Sequence, residues 1–274
     1  MNEEIHLVEE ALLNSIPATQ TVLLDGWVVR LNKNYTYRAD CACPLRYTAG
    51  VGIDDKIRFC EELFITNKLP SVFKVTPVLQ EGLADILLSQ NYQNIKTVKV
   101  MRCKLENVEI DDCAEIRCMD APDNGWLAAS VELSGIVLPE LIEVHCQNLK
   151  NIAVKSVFVE AIIEGKAVGC GYGTVERGYV GVYDLHVEDA YRCRGVGTAI
   201  CRAIFRYGIR QNAKYAYLIV HNKNQNAISL YSHMGFTTFY EYSFYCKPHP
   251  FYKIADAIST CLESFIRQPF ASRY

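Results

Sequence analysis

The chain has 274 residues, a net charge of −3 and an apolar fraction of 50%. That length exceeds a single ordinary core and suits two domains of about 130 residues each; the mild negative charge argues against general nucleic-acid binding. No run of 18 apolar residues occurs and the start Met1-Asn2-Glu3-Glu4 is acidic, so neither a membrane span nor a secretory leader is expected, and the cytoplasm is the expected location.

In the first half, residues 21–31 and 35–39 read as strands and residues 55–67 as a helix. A short strand follows at 72–75, a helix at 79–90 and a strand at 95–105. The polar stretch 106–124, with Asp111-Asp112 and Asp120-Ala121-Pro122-Asp123, marks a boundary. The expected division is a first domain of residues 1–118 and a second of 119–274.

Helices are expected at the start of the second half. Residues 157–163, 167–175 and 179–187 then form strands separated by the turns Glu164-Gly165-Lys166 and Glu176-Arg177-Gly178, hence an antiparallel meander. Beyond the turn Arg192-Cys193-Arg194-Gly195, the residues Val196, Ala199, Ile200, Ala203, Ile204 and Tyr207 recur at the spacing of one apolar helix face. A buried strand at 215–220, a short helix at 224–233 and a last pair of strands through Cys246 complete this part. Ile254, Ile258, Leu262 and Phe265 space a closing helix in 249–274, suited to packing on the first half or to a homodimer interface.

Twelve cysteines are expected as reduced, buried small hydrophobes. No C-x-x-C pair occurs, and neither Cys41-Ala42-Cys43 nor Cys113 with Cys118 has zinc spacing, so no metal is expected.

Two segments carry a family resemblance. Arg192-x-x-Gly195-x-Gly197 resembles the turn with which GNAT-superfamily N-acetyltransferases hold the pyrophosphate of acetyl-CoA. Glycines at 195 and 197 let backbone amides approach an anion closely, and the helix start adds open N–H groups and dipole. The segment from Val220 through Asn224, Ala227 and Tyr231 to Gly235-Phe236 is similar to the superfamily's second signature. The implied fold class is α/β, a mixed sheet. The first half repeats the later element order, and Leu87-Leu88-Ser89-Gln90-Asn91-Tyr92 echoes residues 230–236. This points to a tandem GNAT-like acyl-CoA N-acyltransferase fold whose N-terminal copy lacks the phosphate turn, keeping only Gly50-Val51-Gly52. Gly26-Trp27-Val28-Val29-Arg30 and the run from Thr36 through Arg38-Ala39-Asp40-Cys41 to Pro44-Leu45 are similar to the opening of a bacterial GNAT subgroup with an N-terminal extension. Asp40-Cys41 replaces that subgroup's Asn-Ser. Arg30, Arg38 and Asp40 are either acceptor-site contacts or charges of a scaffold.

The resemblance implies an acetyl-CoA-dependent N-acetyltransferase whose amine acceptor attacks the thioester directly. The expected acceptor is a primary amine of a small molecule or amino acid derivative, with no nucleic-acid or membrane partner. A protein or peptide amine, or acyl-CoA binding without chemistry, are the alternatives. The resemblance assigns the cofactor to Leu185, His186 and Val187 on a splayed strand, to Arg192, Cys193, Arg194, Gly195, Val196, Gly197 and Thr198, and to Asn222, Asn226 and Tyr231. Tyr231 matches the proton donor to the leaving thiolate. Asp184, His186 and Glu160 are candidate bases; strand periodicity puts the first two on one face.

Overall fold

The computed structural model describes residues 2–77, 82–105 and 113–247. The sequence builds two successive runs of elements. The first comprises α1 (Asn2–Ser15), β1 (Gln20–Leu24), β2 (Trp27–Leu31), β3 (Ala42–Pro44), α2 (Ile53–Thr66), β4 (Val72–Val75), α3 (Leu83–Ser89) and β5 (Gln93–Lys104). The second comprises β6 (Glu115–Met119), α4 (Asn124–Ser134), α5 (Pro139–Lys150), β7 (Lys155–Ile163), β8 (Lys166–Glu176), β9 (Tyr179–Val187), α6 (Val196–Arg210), β10 (Tyr215–His221), α7 (Gln225–His233) and β11 (Thr237–Cys246). The expected helix in 249–274 lies outside the described residues.

Among the described residues, all strands join one 11-stranded sheet, ordered β1-β2-β3-β4-β11-β5-β10-β9-β8-β7-β6. The two runs exchange their last strands. β5 pairs antiparallel with β10 of the second run, and β11 lies between β4 and β5 of the first. This explains why residues 237–246 form one strand instead of the expected pair: the missing partner comes from the other run. β6 is the far edge strand, beside β7, and residue 118 lies within it.

Three local expectations change. Residues 21–31 are broken into two strands by Asp25-Gly26, both at positive φ, and the run 35–39 is a turn. Its backbone is held by buried Asp40, which accepts N–H bonds from Asn32 and Thr36. The third change is α1, which the sequence reading leaves unassigned. It is pinned across the seam between the runs by buried Glu9, which pairs with Lys74 on β4 and accepts a hydrogen bond from Tyr240 on β11 at 2.7 Å.

Alternate strand residues face opposite layers. Phe158 and Tyr183 pack with α1 and α4, whereas Val157, Val159 and Val182 pack with α6. Trp27, Ile57, Phe64, Phe73 and Leu87 form a third cluster beneath α2 and α3. α6 lies almost on the backbone of β8, because glycines face it there. A Cβ at Gly173 would stand 2.4 Å from Ile204 Cγ2, and one at Gly169 would stand 3.0 Å from Val196 Cγ1.

Candidate active site

The parallel pairing of β9 with β10 runs from Tyr179↔Tyr215 to Val182↔Leu218 and stops there. Its end coincides with a bulge on the other edge of β9, between the pairs Tyr172↔Tyr183 and Cys170↔His186. Asp184 and Leu185 stand together opposite Gly171, with Asp184 at φ 44°. Such a bulge bends its strand and increases the twist. The backbone of Asp184, Leu185, His186 and Val187 therefore faces a gap where β10 has turned away.

At the far end of β9 the chain enters the glycine turn. Gly195 has φ 85°, a conformation that a side chain would strain, and Cys193 has φ 58°. The first intrahelical bond of α6 runs from the Ala199 N–H to the Gly195 carbonyl, at 2.9 Å. The amides of Val196, Gly197 and Thr198 thus remain open at the positive end of the helix. Arg192 folds back, donating from Nε to the Val187 carbonyl at 3.2 Å and pairing with Asp189 at 2.7 Å. Arg194 lies over the Tyr191 ring, 5.6 Å from its centroid. Both guanidinium groups are thus held against residues 187–191, at the entrance to the turn.

The opposite wall of the gap is β10 with α7. Asn222 hangs its backbone on Thr97 of β5, and its Oδ1 is buried with no hydrogen-bond partner among the described residues. An unpaired acceptor there suits a ligand N–H, such as an amide of a pantetheine arm. Asn224 caps α7 by accepting the Ala227 N–H at 3.1 Å, whereas Asn226 is exposed. Tyr231 is half-buried with its ring 6.0 Å from that of Phe236. Burial raises its pKa, so the phenol keeps its proton. The donors and acceptors of these walls fit acetyl-CoA.

On the other face of the bulge the first run meets the second. Arg38 Nη2 lies 3.4 Å from Asp184 Oδ1. Burial would raise the Asp184 pKa, but the charge of the Arg38 guanidinium leads the opposing causes, its hydrogen bond adds to it, and the carboxyl is held low. Burial lowers the His186 pKa, Asp184 opposes this, and Arg38 and Arg192 tip the balance downwards. The cluster therefore holds an ionised carboxylate beside a neutral imidazole.

Of the other first-run candidates, Arg30 is 3% exposed and donates to the carbonyls of Leu13, Ile16 and Arg38. It braces the loop from beneath. Asp40 holds that loop through amides, while burial pushes its carboxyl up to about 6. Glu160 is buried in an ion pair with Arg117, 2.6 Å away on β6, in the same cross-strand row as Cys170 and His186.

Sequence reasoning missed Tyr35, His145, Asn148 and Tyr172, which line the cleft beside Arg38 and Asp184. The Tyr35 hydroxyl lies 2.7 Å from His145 Nδ1, and Ser130 Oγ lies 2.9 Å from His145 Nε2. Ser130 Oγ also lies 2.9 Å from the Leu127 carbonyl, which can only accept; with the Ser130 hydrogen placed there, Nε2–H donates to Ser130. Nδ1 is then the acceptor for the Tyr35 O–H. The available signal was on α5: His145 and Asn148 interrupt a core-facing stripe of Leu141, Val144 and Leu149.

Among the described residues, no group of three His, Cys, Asp or Glu side chains is placed to hold a metal, and no helix is long and apolar enough to cross a membrane.

Comparison with known proteins gives three kinds of likeness. Residues 2–245 match a family model described as "Probable histone acetyltransferase Rv0428c C-terminal". The chain is 22% identical over 250 residues to the uncharacterized N-acetyltransferase YobR of Bacillus subtilis (strain 168), covering 89% of this chain and 99% of that protein. A GCN5-related N-acetyltransferase from Kribbella flavida superimposes with a TM-score of 0.66 at 12% identity, over 89% of this chain and 95% of its own. A tandem GNAT protein of the clavulanic acid biosynthesis pathway gives 0.64 at 13% identity, over 88% and 86%.

Proposed function

The chain belongs to the Rv0428c C-terminal acetyltransferase family, with a GNAT-type N-acetyltransferase fold, and from that premise we propose that it transfers acetyl from acetyl-CoA to a primary amine of a small molecule or amino acid derivative. The observation that carries this reading is the gap beside residues 184–187. It has open helix amides at one end, and a carboxylate with a neutral imidazole on the face behind it.

Acetyl-CoA bound in the gap supplies the activated acetyl group. The amides of Val196, Gly197 and Thr198, with Arg192 and Arg194, hold its diphosphate. Leu185, His186 and Val187 line the gap with their backbone edge, the Val187 carbonyl being taken by Arg192 Nε; Asn222 supplies an acceptor, and Asn226 lies at the rim.

An amine of pKa near 10.4 is protonated at pH 7, which costs about 4.6 kcal/mol before it can attack. Asp184 attracts the ammonium form. His186, kept neutral, removes one N–H proton to free the nitrogen lone pair and passes it to solvent, then takes the second proton from the nitrogen once the N–C bond has formed. The Val187 N–H faces the developing oxyanion. As the C–S bond breaks, the Tyr231 O–H gives its proton to the departing sulfur and is restored from solvent. Glu160 is held by Arg117 and acts, in this reading, through the row that supports His186.

A protein lysine is the second reading, favoured by the histone named in the family description. The small cleft walled by the first run favours a small acceptor. We divide the chain into two units, residues 1–118 and 119–274, the first closing the acceptor side and the second holding the cofactor.

Calorimetric titration with acetyl-CoA, with dephospho-CoA and NAD as controls, tests the cofactor assignment. Saturable binding selective for acetyl-CoA, followed by thiol release with an amine, is the expected result. No binding at millimolar concentration overturns the reading.

A further inference from the structure

The cleft behind the bulge has a donor–acceptor pattern that narrows the acceptor. Its polar wall is made by Tyr35, Arg38, His145, Asn148 and Asp184. Two of these groups can accept from a ligand. Asp184 accepts from Arg38 in a long contact of 3.4 Å, which leaves carboxylate lone pairs for a ligand. Tyr35 spends its single hydrogen on His145 Nδ1, which leaves its oxygen lone pairs for the cleft.

Two other groups can donate. Arg38 uses Nη2 toward Asp184 and Nε toward Thr36, both in long contacts, and Nη1 has no partner among the described residues. Asn148 is 7% exposed, and its Nδ2 is buried with no hydrogen-bond partner among the described residues. Leaving such a donor unpaired is destabilising, and a ligand acceptor would relieve that. A plain alkylamine brings only donors. It satisfies Asp184 and Tyr35 and leaves Asn148 and Arg38 facing nothing.

Net charge points the same way. Arg38 and Asp184 cancel, and burial keeps His145 neutral. A neutral cleft presenting one cation and one anion suits a zwitterion better than a dication or dianion. The remaining wall, Ile16, Leu149 and Ile152, is apolar.

We propose that the acceptor is a small α-amino acid with an apolar side chain, its amine docked on Asp184 and Tyr35 and its carboxylate on Arg38 and Asn148. This rests on the transferase reading above and deepens it.

The test is thiol release by the full chain with acetyl-CoA and a matched panel: the apolar L-amino acids, their carboxamides and the amines that lack the carboxyl group. At least one amino acid should exceed its carboxamide and its decarboxylated amine tenfold or more in kcat/KM, chiefly through KM. R38Q and N148L, each with its melting temperature checked, should cut that preference ratio tenfold or more. Carboxamides or plain amines turned over as well as the acids overturn the inference while leaving the transferase reading intact, as does a ratio unmoved in both variants. If no amine of any class is turned over while acetyl-CoA binds, the transferase reading itself falls, and this inference falls with it.

Discussion

Arg38 and Asp184 are 146 positions apart in sequence, yet their side chains meet at 3.4 Å across the seam between the two runs. The contact joins a loop of the first run to the bulge that opens the cofactor gap in the second. Asp184 occupies that bulge at φ 44°, a left-handed position that Asn and Asp tolerate better than other side chains.

Asp184→Asn should therefore keep the backbone and remove the charge. Acetyl-CoA affinity and melting temperature are expected to stay near wild type while kcat/KM falls about 100-fold or more. Calorimetry and steady-state thiol release measure the two separately; loss of both together would mean that the residue is structural.

His186 gives a pH signature. Its pKa lies below the ordinary histidine value, so the neutral form dominates at pH 7. Protonation below that pKa removes the base, and kcat is expected to fall about tenfold per pH unit on the acid side of a point under 6.5. In His186→Gln the acid limb should disappear and the plateau should drop. A limb that persists in the variant would assign the titration elsewhere.

Binding and chemistry should separate between the turn and α7. Gly195→Asp puts a side chain at φ 85° and a negative charge beside the open amides, so it should abolish acetyl-CoA binding and leave the far-ultraviolet dichroism unchanged. Tyr231→Phe keeps the shape and removes the proton donor. It should bind normally with kcat lowered about 10- to 100-fold.

The seating of α6 on β8 can be tested without touching the chemistry. Valine at position 173 would drive its first side-chain carbon to 2.4 Å from Ile204 Cγ2. Overpacking of this kind costs about 1–3 kcal/mol, readable as a lower urea midpoint. An unchanged midpoint would mean that the helix can move away freely.

Strand exchange predicts that neither run folds alone. A fragment from residue 113 onward lacks β5, which β10 pairs with from Tyr215↔Lys104 to His221↔Val98. It should show no cooperative melting transition. Co-expression with residues 1–105 should restore an assembled, cooperatively melting complex.

Local order made much of this protein legible. The meander 157–187 and the helix beginning at Val196 declared themselves by periodicity and turn residues, because each depends on neighbours close in sequence. The duplication was legible too: Asn91 at φ 67° stands where Gly235 stands at φ 85°, and Leu87 stands where Tyr231 does. The run 35–39 was misread because its strand-like residues are overruled by buried Asp40, whose backbone hydrogen bonds fold them into a turn.

The meander, the glycine turn and the helix that follows are written into the chain locally, since backbone conformation and amphipathic spacing are local properties. Only the tertiary structure decided that β5 and β11 cross between the runs, because strand pairing satisfies backbone groups wherever a partner edge is free, however distant in sequence. The acceptor cleft followed from the same cause: with the runs joined in one sheet, Arg38 comes to face Asp184, and Tyr35 reaches His145.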